Sequence, residues 1–470
     1  MHVIVIGGGI SGLAAAHHLL RGGARVTVLE STDRLGGKLR TGRIADLDVD
    51  LGAESMLARR PEAVDLARAV GLGDALQPPA TATASVWTRG ELRPMPTGHV
   101  MGVPADPASL GGVISPEGVA RAAEDAELPR TGVGQDVAVG EYVAARLGRE
   151  IVDRLVEPLL GGVYAGDAYR ISMRAAVPKL YEAARRERSL LAGVRAIQER
   201  TAAQRQEGPV FMGIEGGVGR LPGAVADACR AAGAEILTGV SATGLRRVKQ
   251  GGWTVTAGGR TLDADGVVLA VPAPVAARLL ETEVPAAAAE LDAVEYASMA
   301  LVTLAFRRRN LTRTPEGSGF LVPPVDGHAI KASTFSSNKW SWVSAQDPDL
   351  FVLRTSLGRY GEEEVLRRDD ADLVELSLRD LKAAIGLTAR PVARVVTRWE
   401  NGLPQYPVGH LDRVARVRRD LAVHPGLAVC GAAYDGVGIP ACVASGRAAA
   451  ETVLRASGTR TRSPGAGPSA

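Results

Sequence analysis

The chain is predicted to be α/β with α+β parts: a Rossmann-like domain, a mixed-sheet domain and an inserted helical domain. Three observations carry this expectation. Residues 1–55 read as strand, glycine loop, helix, strand and glycine-rich turn, one βαβ unit with its continuation. Between Ser115 and Gln206 nearly every stretch has helical periodicity. Strand–helix–strand patterning then returns in GPVFMGIEGGVGRLPGAVADACRAAGAEILTGVSATGLRRV.

Taken in order, the opening run MHVIVI is a buried strand, and the helix that follows ends before a second strand, RVTVLE. Pro61 to Leu76 is helical, and Ala84 to Pro104 breaks into short strands punctuated by Gly and Pro. PEGVARAAEDAEL and EYVAARLGREIVDRLVEPLLGGVY give amphipathic helices. TLDADGVVLAVP supplies an acidic turn and an apolar strand. Residues from about Tyr296 to Val396 alternate β-rich runs (MALVTLAF, DLFVLRTSLGRY) with a helix around Asp370 to Ala384. The last ordered part, GLAVCGAAYDGVGIPACVASGRAAAETVLRA, is strand, glycine loop and helix. The domains are therefore discontinuous: 1–80, 207–290 and 397–456 form the nucleotide domain, 81–112 and 291–396 the mixed-sheet domain, and 113–206 the helical one. The Gly/Ser/Pro/Arg-rich tail, 457–470, is expected to be disordered.

Composition narrows the class. The 470 residues are 46% hydrophobic and 23% charged, with 56 glycines, which suits a soluble, turn-rich globular protein. A net charge of +3, with no basic run interleaved with aromatics, excludes nucleic acid as a partner. Three cysteines, Cys229, Cys430 and Cys442, lack metal-ligand or CxxC spacing, so neither a disulfide scaffold nor a metal is expected, and a reducing cytoplasm fits. The apolar start lacks the basic flank of a signal peptide, and no run of about 18 apolar residues suggests a membrane span. A peripheral membrane contact through a helical face stays open.

Gly7, Gly9 and Gly12 permit a tight turn, a backbone approach to a pyrophosphate and close packing of helix on strand. Glu30 ends the next strand 18 residues after Gly12, where a carboxylate accepts ribose hydroxyls and disfavours a 2′-phosphate. FAD or NAD is favoured over NADP. The second pair, Gly36-Gly37 in RLGGKLRT, is followed by Lys38; a long FAD lying across the sheet needs this further backbone approach, and NAD does not. Gly52, Ala53, Glu54 and Ser55, in DVDLGAES, are small residues placed to lie along a flavin. A helix starting near Pro440, after Gly436 to Ile439, aims its positive end above the sheet.

GGGISGLAAA, RLGGK and DLGAES resemble the FAD-dependent amine oxidase superfamily. Within it, LRPMPTG with MGVP, EPLLGGVYAGDAYRISMRAAVPKL and GVGIPACVASG look like the oxygen-dependent porphyrinogen oxidases of heme synthesis, most of all the Gram-positive type. The match spans nearly the whole chain. The resemblance implies an amine oxidase/p-hydroxybenzoate hydroxylase-like fold, with the nucleotide domain binding FAD and the mixed sheet binding substrate. It also implies oxidation of coproporphyrinogen III to coproporphyrin III in three two-electron steps, with O2 as acceptor and H2O2 as product. Protoporphyrinogen IX, or another superfamily oxidase or desaturase reaction such as amine oxidation, is the alternative. A non-enzymatic escort role on the same fold is a third reading, opposed by the intact glycine loop and GVGIP.

The cofactor contacts expected are Gly7, Gly8, Gly9, Ile10, Ser11 and Gly12, then Glu30, Ser31, Gly37 and Lys38, then Gly52, Ala53, Glu54 and Ser55, and finally Gly431, Val437, Gly438 and Ile439. By resemblance Val240 pairs its backbone with the adenine and Trp399 sits near the flavin. The helix after GVGIP points at the flavin pyrimidine ring, where partial positive charge stabilises the anionic reduced form. Neither Cys430 nor Cys442 falls in the covalent attachment motif, so FAD is expected to be non-covalent. No catalytic acid or base is named: hydride leaves a meso carbon for flavin N5 while a pyrrole N–H proton leaves to water, so positioning matters most. Two stretches are set aside. GIEGGVGRLPG imitates a second glycine loop but reads as a turn opening a helix with Pro222 near its start, and Arg185 to Arg188 reads as a solvated helix face. The resemblance implies a porphyrinogen substrate and O2 as partners, with transient contacts to other heme-synthesis enzymes or a membrane surface.

Overall fold

The structure, a computed structural model, describes residues 1–203 and 208–458. The boundary expected between 206 and 207 lies outside the described residues, as does the expected tail apart from the backbone of its first two residues. Strand β1 (His2–Ile6) passes through the glycine loop into helix α1 (Ile10–Arg21) and returns as β2 (Arg25–Leu29). The hairpin β3 (Ala84–Thr88) and β4 (Glu91–Pro94) precedes the helical region, which includes α2 (Glu157–Tyr164). Then come α3 (Arg220–Ala231), β5 (Glu235–Leu237) and β6 (Gly266–Leu269). The second half holds β7 (Tyr296–Arg307), β8 (Gly319–Leu321), β9 (Ile330–Thr334), β10 (Leu350–Leu357), α4 (Asp370–Ile385), β11 (Ala393–Pro404), β12 (Leu427–Val429) and α5 (Ile439–Gly458).

Two sheets organise the molecule. The first has order β5-β2-β1-β6-β12 and is wholly parallel, with β1 registered from His2↔Arg25 to Ile6↔Leu29. Val3, Ile4 and Val5 have no exposed surface, because helices or the antiparallel hairpins of residues 242–264 cover both faces. A parallel strand buried on both sides is a continuous apolar run, as HVIVI and RVTVL are. Helices α1 and α5 pack on one face, and at Gly446 they approach so closely that an added Cβ would stand 2.2 Å from Ser11 O.

The second sheet has order β11-β7-β10-β9-β8-β3-β4 and is mixed, β8 and β3 being the parallel pair. Helix α4 covers one face through Leu373, Val374 and Leu381, packed with Phe306, Phe320 and Phe351. Its ends follow local chemistry: the Asp369 side chain caps Asp372 N, and Gly386 closes the helix at φ +67. The helical region shares its core with Val86 of β3, and within it Asp125 and Arg146 form a fully buried ion pair; Asp125 also accepts from Ser189 and Leu191 N. Among the described residues no helix is long and apolar enough to cross a membrane.

One expected boundary needs correction. Strand β11 runs unbroken across residue 397, paired to β7 from Ala305↔Ala393 to Tyr296↔Pro404, so the cut between 396 and 397 divides a strand of the mixed sheet. A strand twelve residues long gives no composition break at the point where the chain leaves one layer for another. The three-stranded antiparallel meander over 242–264 was likewise absent from the expectation.

Candidate cofactor cleft and active site

The glycine loop is dictated by sterics. Gly7 sits at φ +114, and a Cβ there would lie 2.4 Å from Ala270 O. A Cβ on Gly12 would lie 2.0 Å from Gly7 O, so α1 rests directly on the end of β1. Gly9, in contrast, faces open space with no atom within 4 Å. Helix α1 begins there with no side-chain cap and no acid in its first turn, which leaves the N–H groups and the positive dipole end for an anion. Ile10 and Ser11 are buried, so Ile10 belongs to the core of this sheet.

Glu30 is held in place. Its Oε2 accepts from Gly8 N at 2.8 Å, while Oε1 accepts from Thr32 N at 2.9 Å and Thr32 Oγ1 at 2.8 Å; exposed Ser31 adds a longer contact at 3.4 Å. Oε2, with one partner, keeps a lone pair for a hydroxyl. Val240 lies in the loop after β5 and is half-buried, and its N–H donates to Glu30 O at 2.9 Å. A contact from this residue to an adenine falls to its carbonyl.

The next two segments are stitched together. Gly36 N donates to Gly8 O, and Gly36 and Gly37 take φ +105 and +57. A Cβ on Gly52 would strike Lys38 O at 2.1 Å and stand 3.1 Å from the Trp399 ring. Trp399 reaches over from β11 of the mixed sheet, not from the nucleotide domain to which it had been allotted, and its Nε1 donates to Leu51 O at 3.0 Å. Ala53 is left exposed and Ser55 half-exposed. Glu54 turns away: its carboxylate is buried between Lys339 Nζ at 2.5 Å and Arg354 Nη2 at 3.2 Å, and Arg354 Nη1 also donates to Gly52 O at 2.7 Å. Burial alone would raise the Glu54 pKa, but the charges of Arg354 and Lys339 outweigh it and hold the group ionised.

The C-terminal helix closes the arrangement. Cys442, in the first turn of α5, contacts Ser11 in the first turn of α1, so two helix N-termini lie side by side. Burial raises the thiols of Cys430 and Cys442, which keeps both protonated and unreactive. Gly431, at φ +132, donates its N–H to Ser445 Oγ at 3.3 Å; Gly438 is exposed, Ile439 is buried and Val437 packs toward the helical region. Tyr406 staples this loop: its hydroxyl donates to Ala432 O and accepts from Gly436 N at 2.8 Å.

Lys38 is exposed to the same cleft, and among the described residues no carboxylate pairs with it. Desolvation by the surrounding walls nevertheless lowers its pKa. Two adjacent helix N-termini, an unpaired ammonium, the Glu30 carboxylate, and the open faces of Gly9, Ala53 and Gly438 together suit a long dinucleotide with a pyrophosphate at its middle. FAD fits this cradle. The imitation loop is different: Val218 N and Gly219 N, at the start of α3, already donate to Asp50 at 3.0 and 3.1 Å, so that helix end is served from within the chain. In the basic run, Arg185 and Arg186 are exposed, and Arg188 donates to Glu127 O and Leu128 O.

His410 stacks on Tyr406, rings 3.9 Å apart at 12°, with 1% of its surface exposed. Burial, reinforced by the Arg413 charge, pushes its pKa down to about 4. Between pH 4 and the ordinary histidine value the unfolded chain binds more protons than the folded one, so stability falls as pH drops through that window. Urea midpoints of His410→Phe should show a flatter acid limb than wild type; parallel curves would refute this.

The sequence did not reveal Lys339, Arg354, Tyr406 or Ser445. Arg354, a lone charge within the apolar run DLFVLRTSL, was the one available signal. Residues 10–454 match the family of flavin containing amine oxidoreductases. The chain is 38% identical over 459 residues to the coproporphyrinogen III oxidase of Mycobacterium tuberculosis, covering 96% of this chain and 97% of that protein. It is 33% identical to the coproporphyrinogen III oxidase of Bacillus subtilis, over 96% and 98% of the two chains. It also superposes on the crystal structure of a proposed protoporphyrinogen oxidase from Exiguobacterium with a TM-score of 0.85 and 32% identity, covering 97% and 98% of the chains.

Proposed function

The chain belongs to the flavin containing amine oxidoreductase family, and from that premise we propose that it oxidises coproporphyrinogen III to coproporphyrin III in heme synthesis. The observation that carries this reading is kinship with coproporphyrinogen III oxidases at up to 38% identity along nearly the whole chain. The protein is a flavin-dependent oxidase. FAD, when bound, supplies a two-electron acceptor that O2 restores. Three turnovers remove six electrons and six hydrogens from one porphyrinogen and release three H2O2.

The chain's own residues have positioning roles. The uncapped end of α1 and Lys38 would hold the pyrophosphate, Glu30 the ribose, and Ala53 and Ser55 the flavin end; Trp399 and Arg354 fix Leu51 O and Gly52 O in the same segment. The N-terminal end of α5, steadied by Tyr406, offers positive potential to the ring that becomes anionic. A cytoplasmic enzyme making transient contacts with other heme-synthesis enzymes or a membrane surface goes with this reading.

Aerobic incubation of FAD-loaded protein with colourless coproporphyrinogen III should give a fluorescent porphyrin and three equivalents of H2O2. Fluorescence no faster than autoxidation would defeat the proposal. Protoporphyrinogen IX is the second reading, favoured by the Exiguobacterium neighbour, and the ratio of kcat/KM for the two porphyrinogens decides between them.

A further inference from the structure

Lys331 and Arg359 form a largely buried cationic pair, and among the described residues Lys331 has no carboxylate partner. β9 and β10 change register between Ile330 and Ala332, which makes Lys331 the extra residue of a β-bulge. The bulge aims a lysine into the interior, where 9% of its surface stays exposed. Its Nζ donates to Gly358 O at 2.8 Å, and Arg359, the next residue, returns the contact from Nη2 to Ile330 O at 3.3 Å, with further bonds to Val322 O and His328 O. An ammonium has three donors, and Gly358 takes one.

Among the described residues no carboxylate pairs with Lys331. Arg359 has Glu362, 3.8 Å away with a side chain 63% exposed, and feels buried Asp380, whose carboxylate is already taken by Ala329 N, Ile330 N and Arg379. Glu157, at the start of α2, feels the Arg359 charge, but its Oε2 is taken by Ala168 N at 2.6 Å, and burial raises its pKa to about 7. A bulge that only had to satisfy the Gly358 carbonyl would need a neutral donor, not a cation that burial penalises.

The pair lies beside α2, where the Arg359 charge reaches Glu157. Tyr360 N donates to Ala165 O at 3.1 Å, tying the Arg359 loop to the turn after α2. The glycine-rich end of α2 faces β8, with Gly162 nearest Leu321 and Val163 45% exposed. Leu321, Ala332 and Ser356 share the sheet face that carries Arg354 and Trp399 toward Gly52.

We propose that Lys331, backed by Arg359, takes one propionate carboxylate of the substrate, the anion that the fold itself leaves out. This rests on the porphyrinogen reading above. Burial, with the Arg359 charge second, pushes the Lys331 pKa down to about 7, and an arriving carboxylate reverses that shift. Carboxylate recognition by a desolvated cation is worth tenfold or more in affinity.

The test is porphyrin binding to FAD-loaded protein, read by tryptophan quenching, with coproporphyrin III set against the neutral tetra-amide of the same ring. Lys331→Met should weaken binding of the free acid about tenfold or more and leave the tetra-amide unchanged, and Lys331→Arg should recover most of the loss. Equal effects on both ligands, or no effect on either, overturn the proposal. Should Lys331→Met fail to retain FAD, Lys331→Gln, which keeps a donor for Gly358 O, is held to the same outcomes. Wild-type protein that does not oxidise coproporphyrinogen III would overturn the functional reading; an active wild type matched by Lys331→Met in both affinities overturns the carboxylate role alone.

Discussion

Gly12→Ala should yield protein purified without FAD. The new methyl would stand 2.0 Å from Gly7 O and 3.0 Å from the Ala270 Cβ. Neither Gly7 O nor its neighbours can give way, because Gly7 is itself pressed against Ala270 O and its N–H donates to Leu29 O. Helix α1 must therefore lift from β1, which removes its first turn from the anion site and costs about 1–3 kcal/mol of packing. Gly9→Ala is the informative control. Gly9 has φ −72 and open space around its missing Cβ, so that variant should fold normally and lose affinity only where cofactor would lie. Flavin absorbance per mole of protein and urea midpoints measure both. A yellow Gly12→Ala protein of wild-type stability would contradict this account of the loop.

Glu54→Ala is expected to cost about 3–5 kcal/mol, because removing one member of a buried ionic group strands the others. Glu54 is 7% exposed, and the partners it would abandon, Lys339 and Arg354, have side chains 19% and 14% exposed. Arg354 also fixes Gly52 O, so the loop beneath the proposed flavin should loosen and FAD should dissociate faster. Glu54→Gln, which keeps shape and loses charge, should fall between the two. Denaturation midpoints and FAD off-rates, compared across wild type, Gln and Ala, form the measurement; a loss under about 1 kcal/mol for Ala would show that solvent reaches the two cations.

Much of the nucleotide end was legible because its constraints are local. A glycine is needed where the chain turns at positive φ, as at Gly7 and Gly36, or where backbone meets backbone, as at Gly12. Such needs recur at fixed spacing, so GGGISG, Glu30 and RLGGK could be read in line. The helix after GVGIP was legible for the same reason. Glu54 was not: a carboxylate beside small residues looks like a cofactor contact until Lys339 and Arg354 arrive from nearly 300 positions away in the chain. Trp399 was expected near the flavin, yet the layer it comes from was misjudged, since nothing in TRWENGLPQYP marks a strand continuing from 393 to 404.

The sequence by itself determined the mixed α/β class, the dinucleotide loop and, through motifs spread over the whole chain, the family. These follow from periodicity, from steric demands on single residues and from residue order, all of which are properties of short segments. Tertiary structure alone decided that α5 sets its first turn beside that of α1, that β11 delivers Trp399 to Leu51, and that a bulge in β9 buries Lys331 without a paired carboxylate among the described residues. Each of those joins segments distant in sequence, and their burial and charge balance exist only once the layers close.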